Sequence, residues 1–269
     1  MTRSHNFSDI KIMGVINVTP DSFSDGGHFL DPSACLNQAQ KLVEEGADII
    51  DFGAESSRPG ADPVSPDIEW QRLQPALAGM KNWPNRPLIS VDTRHPQTML
   101  KAAENGADII NDIEGARQIL PVHGTLAKEF DVSYLAMHMQ GSPKSMQKDP
   151  LVGREAAVTV QRFFGETHAK LLGVGFTPNR IWLDPGFGFG KTDSGNAWLA
   201  AFTGEFAASY NLCVGVSRKS FLGRTLAIPN PEDRDPASKM FEFGLALMGA
   251  KMIRTHAVAA LRGLLNCLN

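Results

Sequence analysis

The chain has 269 residues, a length that suits one or two domains at roughly 150 residues each and that α/β barrels reach as a single unit. With 42% apolar and 20% charged residues the composition is that of an ordinary globular protein and argues against a disordered or fibrous chain. A formal net charge of −3, from 26 basic and 29 acidic residues, carries no general footprint for nucleic acid.

Residues 10–18 (IKIMGVINV) read as a strand and 32–46 as a helix, in which Leu36, Ala39, Leu42 and Val43 recur at helical spacing before Gly46. ADIIDFGA is the second strand, followed by a polar loop and a helix over about 67–80. PLISVDT and PQTMLKAAENG form the third unit, and ADIINDI with a helix near 124–130 the fourth. VSYLAMHM opens the fifth, with a helix within 154–173, and IWLDPG the sixth, with a helix near 196–210. LCVGVSRKS and a helix over about 235–248 make the seventh. AKMIRTHAV and a last short helix make the eighth. Near-continuous apolar strands alternating with helices imply parallel pairing with both faces covered. The expectation is therefore an α/β fold, a (β/α)8 TIM barrel, forming one domain over 1–269 with its site at the C-terminal ends of the strands.

The phrase GADII occurs at 46–50 and again at 106–110, with a looser version, GAKMI, at 249–253. Each copy joins a helix to a strand: the glycine is expected to cap the helix, and the Gly-Ala step to let helix and strand pack closely. The residue that follows (Asp51, Asn111 or Arg254) stands where barrel enzymes place their chemistry.

Cys35, Cys213 and Cys267 are far apart and in no CxxC pattern, which fits free thiols in a reducing compartment. The opening residues MTRSHNFSDIK lack the apolar core of a signal peptide, and no apolar run approaches ~20 residues. The expectation is a cytoplasmic protein without membrane or nucleic-acid partners.

The strand ends deliver Asn17, Asp51, Asp92, Asn111 with Asp112, His138 with Gln140, Asp184, the run Ser217 to Ser220, and Arg254 with His256. A single such Asp or Asn is as often a loop or helix cap as a ligand group; polar residues on all eight ends are hard to explain by folding alone. Asp92, Asn111, Asp184 and Lys219 suit a flat heterocycle whose edge carries NH groups and a ring oxygen. Arg58, Arg254 and His256 suit a phosphate or diphosphate, and Asn17 is a further donor or, through its carbonyl, a metal ligand. DPGFGFGKT looks like a phosphate loop, but Pro185 and Lys191 stand where the P-loop and dinucleotide patterns need glycine. His138 alone is more often a satisfied interior histidine than a ligand.

With these segments in order the sequence closely resembles the dihydropteroate synthases, over nearly its whole length. The carriers are MGVINVTPDSFSDGG (13–27), ESSRPGA (55–61), SVDT (90–93), NDI (111–113), MHMQGSPKSMQ (137–147), DPGFGFGK (184–191), SRKSF (217–221) and IRTH (253–256). The resemblance implies a transferase of folate biosynthesis that joins 6-hydroxymethyl-7,8-dihydropterin diphosphate to 4-aminobenzoate and releases pyrophosphate. It implies Mg²⁺, a homodimer, and sulfonamides as competitors. By resemblance, Asp92, Asn111, Ile113, Asp184, Gly188, Lys219 and Arg254 bind the pterin. Asn17, Ser57, Arg58, Arg254 and His256 serve the diphosphate, with Asn17 near the metal. Thr19, Pro20, Phe23, Phe189 and Ser220 surround the aminobenzoate, and the loop over 19–27 closes as a lid. Asp92, Asp184, Lys219, Arg254 and His256 are the expected catalytic set. Ala54, Ser57 and Ala257 depart from the family pattern at the diphosphate end, and Asp51 has no clear ligand and is expected to support the site from behind. The competing reading is a pterin- or folate-binding barrel of a methyltransferase-type system, which holds its ligand without condensing anything; the Ser-Arg-Lys-Ser run, Arg58 and His256 argue against it.

Overall fold

The computed structural model describes residues 9–19, 32–55 and 63–268. Eight parallel strands close into a barrel in chain order, with β1 paired to both β2 and β8. The strands are β1 Lys11–Asn17, β2 Ile49–Gly53, β3 Leu88–Asp92, β4 Ile109–Asp112, β5 Ser133–Met137, β6 Ile181–Asp184, β7 Asn211–Gly215 and β8 Met252–Thr255. Around them run α1 Pro32–Glu44, α2 Pro66–Met80, α3 Pro96–Glu104, α4 Pro121–Glu129, α5 Arg154–Val174, α6 Asp193–Ala201, α7 Thr203–Ser209, α8 Ser220–Leu226, α9 Asp235–Leu247 and α10 Val258–Asn266. Proline opens α2, α3 and α4, where its fixed φ suits the first turn and its missing N–H is not needed.

The eight expected units are present, with two differences. The helix expected near 196–210 is two helices, α6 and α7, because the chain bends at Phe202 (φ −89°, ψ −1°). The short helix α8 follows a residue with positive φ, Arg218 (58°), and a helical spacing of seven residues is too brief to read from sequence.

The glycine of the Gly-Ala step caps its helix, as expected, and the cap has a defined geometry. Gly46, Gly106 and Gly249 have φ of 99°, 91° and 107°. In each copy the glycine N–H bonds back three residues and the alanine N–H five, as in Ala47 to Leu42, Ala107 to Ala102 and Ala250 to Leu245. This is a Schellman helix end, which requires a left-handed residue. Close packing is not needed at Gly106, where a Cβ would meet nothing within 4 Å among the described residues, whereas at Gly46 it would come within 3.0 Å of the Arg262 side chain. The aspartate of GADII serves a separate purpose. Asp48 and Asp108 accept from the N–H groups of Ile12 and Ile89 at 2.7 Å, capping the start of the preceding strand.

Inside the barrel every second residue points to the axis. Met13, Ile49, Ile109, Leu135, Cys213 and Met252, with Trp182 against them, form an apolar plug separate from the larger core between barrel and helices. Two residues further along the same strands come Asp51, Asn111, Met137, Asp184, Gly215 and Arg254. The polar mouth is thus seated directly on the plug, in a fold that needs no polar group there for its own closure.

Candidate active site

Asp51 is fully buried and is the hub of the mouth. It accepts from Ser90 Oγ at 2.7 Å, from Asn111 Nδ2 at 3.3 and 3.2 Å, and from Arg254 Nε at 2.6 Å. Strand register makes these contacts: Ser90 pairs with Asp51 across β2 and β3, and Asn111 with Asp92 across β3 and β4. Arg254 also reaches Asp92 Oδ2 at 3.4 Å. Its guanidinium therefore spans the mouth from β8 to β2 and β3.

On the opposite wall, Asp184 ends β6 and accepts from Gly186 N–H at 2.7 Å. Lys219 donates to the carbonyl of Phe187 at 2.5 Å and lies 4.4 Å from the centre of the Phe189 ring. The turn that offers this carbonyl is pinned by Lys191, which is 2% exposed. Lys191 Nζ donates to the carbonyls of Gly186, Phe189 and His138 at 2.9, 3.0 and 3.2 Å, and to His138 Nδ1 at 3.0 Å. Gly186 is forced here: its φ is 66°, and a Cβ would fall 1.9 Å from the His138 carbonyl oxygen.

Between the walls lies an apolar floor of Ile113, Met137, Met139 and Met146, with Phe189 packed against it. His256 follows β8 at the exposed lip, where its Nδ1 and its backbone N–H meet Ser217 Oγ at 3.0 and 3.2 Å.

Charge is distributed unevenly. Burial, with Asp51 beside it, pushes Asp92 up to about 8 against the pull of Arg254. Burial also raises Asp184, opposed by Lys219. Burial pushes Lys219 down to about 8, with Asp184 opposing and Arg254 adding to the shift. Although burial works against it, Asp51 and Asp92 hold Arg254 above its ordinary range. Desolvation and the nearby Arg254, Arg218 and Lys239 push His256 down, so its ring is neutral at pH 7. The cleft offers two carboxyl groups whose pKa burial raises, one fixed cation, one ammonium, one amide and an apolar floor. Such a set fits a flat, hydrogen-bonding, electron-rich ring with an anionic substituent.

Asp92, Asn111, Ile113, Asp184, Gly188, Phe189, Lys219, Arg254 and His256 come together in this mouth. Asn17 is exposed at the end of β1, paired with Gly53, and Thr19 is half-buried just beyond it. Ser220 is exposed as the first residue of α8. Pro20, Phe23, Ser57 and Arg58 lie outside the described residues. Two rim candidates are out of phase with the inward set. Asp112 faces the helices, where it accepts from Tyr134 Oη and the N–H groups of Glu114 and Ala116. His138 is a satisfied interior histidine whose ring meets Phe163 edge-on. The in-phase partners, Met137 and Met139, were the legible signal in LAMHM: a period of two that selects the methionines. Lys191 is a further miss, since its place in a phosphate-loop-like phrase gave no hint of a buried clasp. Glu55, Glu69 and His95 also gather beside the mouth, within 4.8 Å of one another, but both oxygens of Glu55 are held by Arg94 at 2.9 and 2.8 Å.

The pterin-binding enzyme family matches residues 13–256. The dihydropteroate synthase of Neisseria meningitidis serogroup C is 42% identical over 259 residues, covering 93% of this chain and 88% of its own. The chain belongs to the dihydropteroate synthase family. Dihydropteroate synthases also share its fold in detail. The Xanthomonas albilineans enzyme, solved with 4-aminobenzoic acid, superposes with a TM-score of 0.88 at 33% identity, covering 97% of this chain and 93% of that one. The Yersinia pestis enzyme, solved in complex with a sulfonamide drug, gives 0.87 at 35%, covering 100% and 97%. The Burkholderia cenocepacia enzyme complexed with 7,8-dihydropteroate gives 0.84 at 34%, covering 97% and 90%.

Proposed function

We propose that this chain condenses 6-hydroxymethyl-7,8-dihydropterin diphosphate with 4-aminobenzoate to give 7,8-dihydropteroate and pyrophosphate. The observation that carries the reading is the Arg254 bridge, a cation fixed by Asp51 and Asp92 in a mouth that otherwise presents acceptors to a ring. The pterin edge takes Asp92, Asn111, Asp184 and Lys219 as partners and lies on Ile113, Met137 and Met139. Arg254 flanks the ring and reaches the diphosphate, where His256 donates as a neutral imidazole. The aminobenzoate sits beside Phe189, with Thr19 at its edge and its carboxylate toward Ser220.

In the reaction the arylamine nitrogen bonds to the pterin methylene carbon as the carbon–oxygen bond to the diphosphate breaks. The electron pair leaves with pyrophosphate, and the surplus amine proton is lost. Positive charge develops on the methylene, and Asp92 and Asp184 stabilise it; Arg254 stabilises the negative charge on the leaving group. No side chain serves as a covalent nucleophile. Asn17, exposed at the lip, offers an amide oxygen, a hard donor of the kind that would hold Mg²⁺. An ion held there would neutralise charge on the leaving group.

The deciding experiment combines the protein with the pterin diphosphate, 4-aminobenzoate and Mg²⁺ and follows dihydropteroate and pyrophosphate. Product in equal amounts is expected; pterin binding without product would overturn this reading in favour of a binding barrel. A sulfonamide is expected to compete with 4-aminobenzoate. A cytoplasmic location fits the three free cysteines, and no described helix is long and apolar enough to cross a membrane. A homodimer fits the exposed apolar side chains Val152, Val158 and Trp198 on adjoining elements, and light scattering tests it.

A further inference from the structure

Helix α9 lies over β7 and β8 on the outside of the barrel. A helix in that place should turn an apolar stripe inward. The C-terminal half does so with Leu245 and Ala246, but in the N-terminal half Asp235, Ser238, Lys239 and Glu242, at the i, i+3, i+4 and i+7 positions of one face, are turned toward the barrel rim. Asp235 grips Arg218 with two bonds of 2.8 and 2.7 Å. Ser238 Oγ accepts from Arg218 N–H at 3.0 Å. Lys239, 4% exposed, donates to Glu242 Oε2 at 2.5 Å and to Thr255 Oγ1. Glu242 and Thr255 are fully buried, and Glu242 Oε1 has no hydrogen-bond partner among the described residues.

Such a face is an expensive way to pack a helix. Burying a lysine and a glutamate costs desolvation that their attraction barely offsets, and apolar residues of similar volume would serve stability as well or better. The return is a fixed position, and the residue fixed is Thr255. In β8 it faces outward between Arg254 and His256, which face the mouth. Its Oγ1 also accepts from the N–H of Ala257 at 3.4 Å. Ala257 stands at the N-cap of α10 and supplies no side-chain cap. On the outer side of the barrel wall, the turn that carries His256 is therefore held through Thr255, and Thr255 is held by Lys239.

We propose that Lys239, braced by Glu242, is a positioning residue for the leaving diphosphate: acting through Thr255, it sets the end of β8 so that Arg254 and His256 meet the phosphates together. The inference rests on the proposed synthase reading and specifies which buried groups outside the mouth that reading depends on. It predicts a selective defect, because Lys239 and Glu242 reach Thr255 of β8, whereas the part of α9 nearest the aminobenzoate end, Asp235 and Ser238 on Arg218, is left intact.

The test uses the full chain with Lys239→Met/Glu242→Leu, which removes both buried ions, and with Thr255→Val, which removes only the hydroxyl. Expected for both variants is a rise of about tenfold in KM for the pterin diphosphate and in the Kd of inorganic pyrophosphate measured by calorimetry, with KM for 4-aminobenzoate within about twofold of wild type. Adding Ala257→Asp, which supplies an N-cap acceptor for the same turn, is expected to recover most of the pyrophosphate affinity. Unchanged constants would overturn the proposal, as would equal rises for both substrates accompanied by a fall in Tm, or a pyrophosphate defect that Ala257→Asp leaves untouched. The two readings fail separately: wild-type protein that binds pyrophosphate but forms no dihydropteroate overturns the activity, while the pyrophosphate titration still decides the role of Lys239.

Discussion

Arg254 meets two carboxylates that are not equivalent. Asp51 is fully buried and 2.6 Å away, whereas the Asp92 side chain is 14% exposed and 3.4 Å away. Asp51 is therefore the anchor and Asp92 the group left to face a ligand. Asp51→Asn removes the anchor's charge but keeps its shape. We expect kcat/KM to fall about 100-fold, ~2.7 kcal/mol of transition-state stabilisation, in steady-state assays. Lys219→Ala should cripple pterin binding by calorimetry; an unchanged affinity would remove Lys219 from the site. Asp92 also sets a pH dependence. Its folded value near 8 lies above the ordinary 3.8, so the stability it contributes is full at low pH and is lost as pH rises toward 8. The Tm difference between wild type and Asp92→Asn should accordingly shift against wild type between pH 4 and 8. A difference that stays flat across this range would contradict the buried, carboxylate-crowded setting of Asp92.

At the scale of elements, glycines in two kinds of place should respond differently. Gly106 ends α3 with a left-handed backbone but has open space where a Cβ would go. Gly106→Ala should cost about 1 kcal/mol in urea unfolding, the strain of a left-handed alanine, and leave pterin affinity unchanged. Gly186 has both a positive φ and the His138 carbonyl in the way. Gly186→Ala must push the β6 loop off the loop after β5, loosening Lys191 and the carbonyl that holds Lys219. Its pterin affinity should drop by about tenfold or more by calorimetry. The sequence marks both glycines alike, since a motif records the residue and not the neighbour it avoids. The same limit applies to α9: its hydrophobic residues read as a helix, but nothing local says that the polar stripe at 235, 238, 239 and 242 turns inward.

For the whole molecule, a ligand that binds only the closed barrel stabilises it by mass action. At about 100 times its Kd the pterin diphosphate should add ~2.7 kcal/mol, raising Tm by roughly 5–10 °C at ~2–4 °C per kcal/mol. Scanning fluorimetry should show this rise for wild type and lose most of it for Lys219→Ala. A rise that survives the substitution would mean that binding occurs elsewhere.

The order of strands and helices was readable because each unit buries its own apolar run and ends at its own glycine or proline, and those signals are local. The period of two within a strand was equally local, and it separates Asp184 and Asn111, which face the mouth, from His138 and Asp112, which do not. What the tertiary structure alone decided is who pairs with whom. Arg254 and Asp51 are 203 residues apart in sequence, and only the closure of β8 onto β1 puts them 2.6 Å from each other. A strand-end aspartate looks the same in sequence whether its partner is a substrate or an arginine from the far end of the chain. The barrel settles it by burying one carboxylate under the guanidinium and leaving the other at the mouth.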